Sequence, residues 1–156
     1  MIHFDRVILS EDGEELTFKK RNRLKEGELE KLNEFFGVDL PDDFLRFYLR
    51  TNGANFFGID LLSFDKYSDV ELSNFFFHNW GNGDRDFINL NRHSSDFGKI
   101  FFLEATGVKA LPVAPNFTFW ISCVFEEISQ YGVLFHPDDL EVKGINGLYS
   151  FNHGGV

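Results

Sequence analysis

The stretch that decides the fold reads LPDDFLRFYLRTNG, residues 40–53. Pro41 suits the first position of a helix, where its missing N–H would have no partner and its fixed φ is already helical. Asp42 and Asp43 follow in the first turn, where carboxylates favour the positive end of the helix dipole. Asn52-Gly53 can supply a left-handed cap. Because most residues between these signals are apolar, the pattern predicts a helix that is buried on most sides.

Two further elements are predicted before this helix. Leu29, Leu32 and Phe36 keep helical spacing, so a first helix should be joined to the second by a very short link. Earlier still, apolar runs flank an Asp-Gly pair, and this pattern predicts a β-hairpin within residues 1–20.

After the helix, short apolar runs alternate with turn signals, and a long amphipathic helix comes last. Asn116 can cap this helix and Gly132 lies just beyond its end. Its apolar face consists of Phe117, Trp120, Ile121, Val124, Phe125 and Ile128. Strands are predicted at 59–64, 75–80, 87–90 and 100–103, with the strongest turn at 81–84 and further short strands possible at 133–135 and 148–151.

Length and composition indicate one domain with an aromatic core. The chain has 156 residues, of which 21 are Phe, and a chain of this size needs no metal or disulfide to stabilise it. Residues 1–156 are therefore predicted to form a single α+β domain, a twisted, mainly antiparallel sheet packed against helices. The Phe clusters at 56–57 and 75–77 leave one alternative open, in which some rings are exposed at a partner surface.

The chain shows no features of an exported or membrane-spanning protein. Neither a leader nor an apolar run long enough to span a membrane is visible, and the lone Cys123 cannot form an internal disulfide. We therefore expect a cytoplasmic protein in which Cys123 is a small buried residue on the late helix rather than a nucleophile.

The net charge of −10 makes nucleic acid and anionic membranes poor direct partners. A basic protein is a more natural partner, although an acidic surface can also serve solubility alone. The basic cluster between Lys19 and Lys25 falls between two predicted elements and is interpreted as a solvated linker.

Three motifs occur in order along the chain. They are FGV (36–38) leading into LPDDF and Asn52-Gly53, then WGNGD (80–84), then VAPNF (113–117). This order resembles the SUKH superfamily (Smi/Knr-like), which is named after a yeast cell-wall-synthesis regulator and whose bacterial members are mostly immunity proteins. In that resemblance, fold residues are Pro41, Asn52, Gly53, Trp80 and Gly83. The N-terminal hairpin and Pro115 depart from the pattern, so the subgroup stays open.

The resemblance implies a toxin inhibitor that binds a cognate bacterial toxin and has no catalytic activity of its own. If the toxin is a nuclease, its cleft is basic, and acidic side chains of the inhibitor would occupy the place of phosphates. We predict this partner-binding surface at Asp84, Asp86, Asp138, Asp139 and Glu141, because these residues lie in or beside turns of the more acidic part of the chain. The oligomeric state is left open.

Two other function classes remain as alternatives. A regulatory scaffold, as the yeast founder is, would bind several cellular proteins weakly. A hydrolase would use paired carboxylates such as Asp84 and Asp86, which could lie together if both belong to one strand face. The five His residues are scattered without metal-ligand spacing, and no nucleotide-binding loop is present, so no metal or cofactor is expected.

Overall fold

The structure is a computed structural model, and it describes residues 2–25, 27–28, 30–31, 34, 40–64, 70–71, 73–108 and 110–136. The helices are α1 (Asp42–Arg50) and α2 (Phe117–Tyr131). The strands are β1 (Ile8–Leu9), β2 (Glu15–Leu16), β3 (Phe18–Lys20), β4 (Ala54–Phe56), β5 (Ile59–Leu61), β6 (Val70–Glu71), β7 (Asn74–Asn79), β8 (Arg85–Asn89), β9 (Ile100–Leu103) and β10 (Ala110–Ala114). Residues 27–28, 30–31 and 34 are also helical, whereas Leu29, Leu32 and Phe36 lie outside the described residues.

One large sheet carries the fold. Its strands run in the order β10-β9-β8-β7-β5-β4-β3, with β6 also beside β7, and every pairing is antiparallel. The prediction of an α+β fold with a mainly antiparallel sheet is therefore confirmed. Strands β1 and β2 form a separate two-stranded ribbon, in which Ile8 lies opposite Leu16 across a turn containing Gly13.

Both helices pack on the same face of the sheet. The ring of Phe75 on β7 lies 6.0 Å from that of Phe44 on α1, and Phe77 lies 4.8 Å from Trp120 on α2. The ring of Phe117 on α2 lies 5.3 Å from that of Phe44 and 5.6 Å from that of Phe77, so both helices lie on one side of the sheet. Phe56, Phe57, Phe75, Phe76 and Phe77 are all buried, which rules out the alternative that these clusters present exposed rings.

Helix α1 begins at Asp42, one residue after the predicted start, and it also differs from the prediction in its burial and its end. Pro41 is the N-cap residue, and Asp42 and Asp43 occupy the first turn. Phe44 and Tyr48 are buried, whereas Leu49 is 38% exposed. The prediction of a helix buried on most sides is therefore wrong: α1 buries one face only.

Helix α1 ends in an extended residue rather than in a left-handed cap. Thr51 is extended, with φ −156° and ψ 123°. Its hydroxyl accepts a hydrogen bond from the backbone N–H of Arg21 at 2.8 Å, which draws the chain out of the helix toward β4. Gly53 has φ +77°, and a Cβ there would collide with the carbonyl oxygen of Leu61. Asn52 accepts a hydrogen bond from the N–H of Phe64 at 2.8 Å, so Asn52-Gly53 forms the turn after the helix.

Helix α2 agrees with its predicted pattern at both ends. The side chain of Asn116 accepts a hydrogen bond from the N–H of Phe119 at 2.8 Å, and Gly132 ends the helix with φ +71°. All six residues of the predicted apolar face are buried. The carboxylate of Asp43 on α1 also accepts a hydrogen bond from the N–H of Thr118 at 2.8 Å, which joins the starts of the two helices.

Three further predictions need correction or lie outside the described residues. The basic cluster is no solvated linker, because Lys19 and Lys20 belong to β3, and Arg21 donates to the carbonyl of Leu61 at 2.9 Å and pairs with Asp60. Residues 133–135 form no strand, and residues 148–151 lie outside the described part. Strand β10 was not predicted, because its central Pro112 is a residue that sheets tolerate only at edges and irregularities.

Candidate functional site

The turn at 80–84 closes on itself and packs against a neighbouring loop. The N–H of Trp80 donates to the carbonyl of Asp84 at 2.9 Å, and Gly81 and Gly83 both have positive φ. A Cβ on Gly83 would lie 2.8 Å from the Cβ of Ala105, so only glycine allows this close approach. The fold role predicted for Trp80 and Gly83 is consistent with this geometry.

The carboxylate of Asp84 is the centre of the turn. It accepts hydrogen bonds from the N–H of Ala105 at 2.7 Å, from Nδ2 of Asn82 at 3.0 Å and from Nε2 of His136 at 2.7 Å. Asp84 is only 8% exposed. Burial alone would raise the pKa of Asp84, but these hydrogen bonds outweigh it and hold the pKa below its usual range.

Asp86 lies deeper than Asp84. It is fully buried, and its carboxylate lies 2.8 Å from Nδ1 of His78, which is directly opposite in the β7–β8 register. The His78 ring in turn contacts the rings of Trp80 and Trp120 at 4.8 and 5.8 Å. Asp86 thus belongs to the interior of the domain.

The predicted acidic surface is therefore not formed by the residues chosen for it. The placement of Asp86 at a partner surface is wrong, because its carboxylate is buried against His78. Asp84 is also unsuited to that role, since its two oxygens already bind groups of this chain. Asp138, Asp139 and Glu141 lie outside the described residues.

A different acidic surface is present at the turn of the N-terminal hairpin. We call it the acidic groove: a cleft of about 460 Å³ between the turn of the β1–β2 hairpin, the β5 and β7 strands, and the end of α2. Four carboxylates surround it, and apolar side chains line it. Its carboxylates are Glu11, Asp12, Glu14 and Asp60, and its apolar residues include Leu16, Ile59, Trp80 and Leu134.

The hairpin turn holds three of these carboxylates in place. The N–H of Ser10 donates to the carbonyl of Glu14 at 2.8 Å, and the Ser10 hydroxyl accepts from the N–H of Glu14 at 3.0 Å. Glu11, Asp12 and Glu14 are exposed, and none of their side chains forms an ion pair within the described part of the chain. The turn therefore presents three uncompensated negative charges on an ordered backbone.

Gly132 positions this hairpin against the end of α2. A Cβ on Gly132 would lie 2.6 Å from the carbonyl oxygen of Leu9 and 2.7 Å from the backbone nitrogen of Glu11. The absence of a side chain thus allows the hairpin backbone to touch the helix end, which closes one side of the acidic groove.

Sequence reasoning recognised the segment 11–14 only as a hairpin turn. Three acidic residues within four positions were visible there. What no local pattern showed was that the turn would pack against Gly132, more than a hundred residues later. The sequence showed the high density of acidic residues in this turn, but it did not show the tertiary contact between the turn and Gly132.

Metal and membrane features are absent from the part of the chain that the structure describes. There, no group of three or more His, Cys, Asp or Glu side chains is arranged to hold a metal ion. Among the same residues, neither helix combines the length and the apolar character needed to cross a membrane.

Comparison with protein families gives one match. Residues 23–123 match the SMI1 / KNR4 family (SUKH-1). No curated protein matches the chain.

Proposed function

Because the chain belongs to the SMI1 / KNR4 family (SUKH-1), we propose that it is an immunity protein that binds a cognate bacterial toxin and neutralises it without covalent chemistry. Family membership supports an immunity-like, protein-binding role in general, and this is the observation that carries the proposal.

We assign the toxin-binding face to the acidic groove. A cleft with apolar walls and acidic edges resembles the core and rim of protein interfaces, where buried apolar contacts give affinity and charges give orientation. Unpaired carboxylates at Glu11, Asp12 and Glu14 would attract a basic toxin surface, such as the substrate cleft of a nuclease. Such steering raises the association rate and weakens as salt is added.

We also propose that the protein acts by binding and not by catalysis. Asp84 and Asp86, the carboxylates that a hydrolase would use, are each hydrogen-bonded to a different histidine. The pKa of Asp84 is also lowered, which does not suit a general acid at neutral pH. Burial, with the nearby Glu126 and Glu127, raises the pKa of the Cys123 thiol to about 11, so the reactive thiolate is disfavoured.

The first test is neutralisation in cells. The toxin domain encoded beside this gene would be expressed with and without the protein, and growth should be rescued when both are present. If no neighbouring toxin were neutralised, the proposal would fail. Micromolar binding to several cellular proteins would instead indicate a regulatory scaffold of the yeast-regulator type.

The second test separates the acidic groove from net charge. Glu11→Lys, Asp12→Lys and Glu14→Lys would be combined in one variant, and association with the identified toxin measured by stopped flow at low and high salt. The rate at low salt should fall at least about tenfold, with a flatter salt dependence.

The matched control is a variant with Glu30→Lys, Glu104→Lys and Glu126→Lys, three exposed residues that are not part of the groove. It changes the net charge by the same amount. An equal effect in both variants would show that overall charge, and not the acidic groove, attracts the toxin.

A further inference from the structure

A second cleft lies at the other end of α2 and has the opposite charge. We call it the aromatic–basic groove: a cleft of about 400 Å³ between the N-terminal segment, β3, α1 and the first turns of α2. It shares no lining residue with the acidic groove. On α2, Thr118 lines the aromatic–basic groove and Ile128 lines the acidic groove. At a rise of 1.5 Å per residue these two positions are roughly 15 Å apart along the helix.

Three cations surround this second cleft. Lys20 projects from β3, and Arg46 and Arg50 follow one another by one turn on α1. All three are exposed, and their side chains form no ion pair or hydrogen bond with any residue that the structure describes. In a chain with net charge −10, such a group of unpaired cations creates a local region of positive potential.

The one carboxylate among the lining residues of this groove is hydrogen-bonded elsewhere. Asp43 lines the groove, but one of its oxygens accepts the N–H of Thr118 at 2.8 Å. It serves the start of α2, where a carboxylate stabilises free N–H groups. The cations are thus left to bind groups from outside the described chain.

Aromatic side chains form the floor between the cations. Phe4 is 42% exposed, and its ring lies 4.8 Å from that of Phe18, which is half-buried. Phe47, also half-buried, packs 5.3 Å from Phe117. Aromatic side chains and Arg are the residues enriched in the centres of protein interfaces, and this groove contains both.

The edge of the sheet borders the same groove. Among the strands that the structure describes, β3 ends the sheet and pairs with β4 alone. The N–H of Phe57 donates to the carbonyl of Thr17, so residues 17 and 19 face β4 while the N–H and C=O groups of Phe18 and Lys20 point away from it. An extended segment can therefore hydrogen-bond to this edge as an added strand.

We propose that the aromatic–basic groove binds an extended acidic segment of a partner protein. Carboxylates of that segment would pair with Lys20, Arg46 and Arg50, and an apolar side chain between them would pack on Phe4 and Phe18. This surface goes beyond the toxin-binding role and does not depend on it, because a basic toxin would be repelled here and attracted at the acidic groove.

The test uses the full chain, labelled with ¹⁵N, and three synthetic eight-residue peptides. The first is acetyl-Gly-Glu-Asp-Phe-Glu-Leu-Asp-Gly-amide, the second replaces its carboxylates by amides, and the third replaces Phe and Leu by Ala. Only the first peptide should bind well, and its binding should change the NMR chemical shifts of the backbone amides of Thr51, Thr118 and Ile121. A basic toxin is not needed, so failure here leaves the proposed function untouched.

Variants locate the binding. The combined variant Arg46→Gln/Arg50→Gln should bind the first peptide with about tenfold lower affinity, as expected for the loss of two exposed ion pairs. Lys20→Gln should weaken it, whereas Lys19→Gln, at the neighbouring position on the opposite face of β3, should not. Phe4→Ser should remove the preference for the first peptide over the third.

Several results would overturn the proposal. These are equal binding of all three peptides, shifts confined to another surface, or no effect of the Arg46→Gln/Arg50→Gln variant. If inorganic phosphate caused the same chemical-shift changes as the first peptide, the site would bind anions in general and would not recognise a peptide. Concentration-dependent self-association in sedimentation, abolished by Phe4→Ser, would make a second copy of this chain the occupant instead.

Discussion

Replacement of Asp84 by Ala tests whether this residue holds the fold together or meets a partner. The substitution removes a carboxylate that accepts hydrogen bonds from Ala105, Asn82 and His136. It would leave the loop around Ala105 and the segment at His136 without their link to the 80–84 turn. The expected effect is therefore a loss of stability rather than a loss of binding.

The size of the loss follows from those three contacts. Hydrogen bonds to a charged group contribute roughly 1.5–3 kcal/mol each. Asn82 and Ala105 are exposed, so water can replace part of what is lost. We expect Asp84→Ala to lower the free energy of unfolding by about 2–3 kcal/mol, which for a domain of this size is a fall in Tm of roughly 5–10 °C.

Thermal unfolding followed by circular dichroism measures this loss, with Asp96→Ala as the control. Asp96 is 44% exposed at its side chain and pairs with Lys99 on the surface, so its removal should cost under about 1 kcal/mol. The pKa of Asp84 is lowered in the folded state, so its contribution is complete above its unfolded pKa, about 4, and is lost as pH falls through the lower folded value. The difference between wild type and Asp84→Ala should thus be present at pH 5 and shrink toward pH 3.

The reasoning would be refuted by an Asp84→Ala protein as stable as wild type. If that variant also lost affinity for an identified toxin, Asp84 would be a recognition residue, as its position in an acidic turn first suggested. A stability difference that persisted unchanged to pH 2 would show that the charge of the carboxylate is not what stabilises the turn.

Three further substitutions test individual contacts. Gly132→Ala should lower the free energy of unfolding, measured with urea, by at least about 1 kcal/mol more than Gly107→Ala does. Both glycines have φ near +70°, but only a Cβ at position 132 would collide with the hairpin backbone. Equal losses in the two variants would argue against that packing. Glu127 is buried without a hydrogen-bond partner among the described residues, and burial raises its pKa to about 7, so wild-type stability should fall between pH 4.5 and 7. Glu127→Gln should remove that pH dependence and add roughly 1–3 kcal/mol at pH 8, and parallel pH profiles would contradict this. Tyr48→Phe should cost about 1–1.5 kcal/mol, measured in the same way, because it leaves the carbonyl of Leu62 without its 2.8 Å hydrogen bond; an unchanged midpoint would mean that water replaces the hydroxyl.

Elements whose signals are local were predictable from the sequence. Helix α2 has its cap at Asn116, its apolar face and its stop at Gly132 within one segment, and all three appear in the structure. The end of α1 was not predictable, because Thr51 is hydrogen-bonded to the backbone of Arg21, thirty residues earlier.

The candidate site was harder to predict for the same reason. A carboxylate beside a turn is usually solvated, but Asp86 lies opposite His78 in the sheet register, and that pairing depends on how β7 and β8 align. The acidic groove likewise depends on a hairpin meeting the far end of a helix. Charge was visible in the sequence, whereas its burial or exposure was decided by tertiary contacts.

The contact at Gly132 has a consequence for how this protein can change. The family match covers residues 23–123, so the hairpin turn and Gly132, which lie on either side of the matched region, meet at one place. Exchange of the short turn 11–14 would alter the charges at the groove while the helices and the large sheet stay as they are. If the acidic groove is the toxin-binding face that we propose, grafting a turn of different charge onto this hairpin should change which toxin the protein binds.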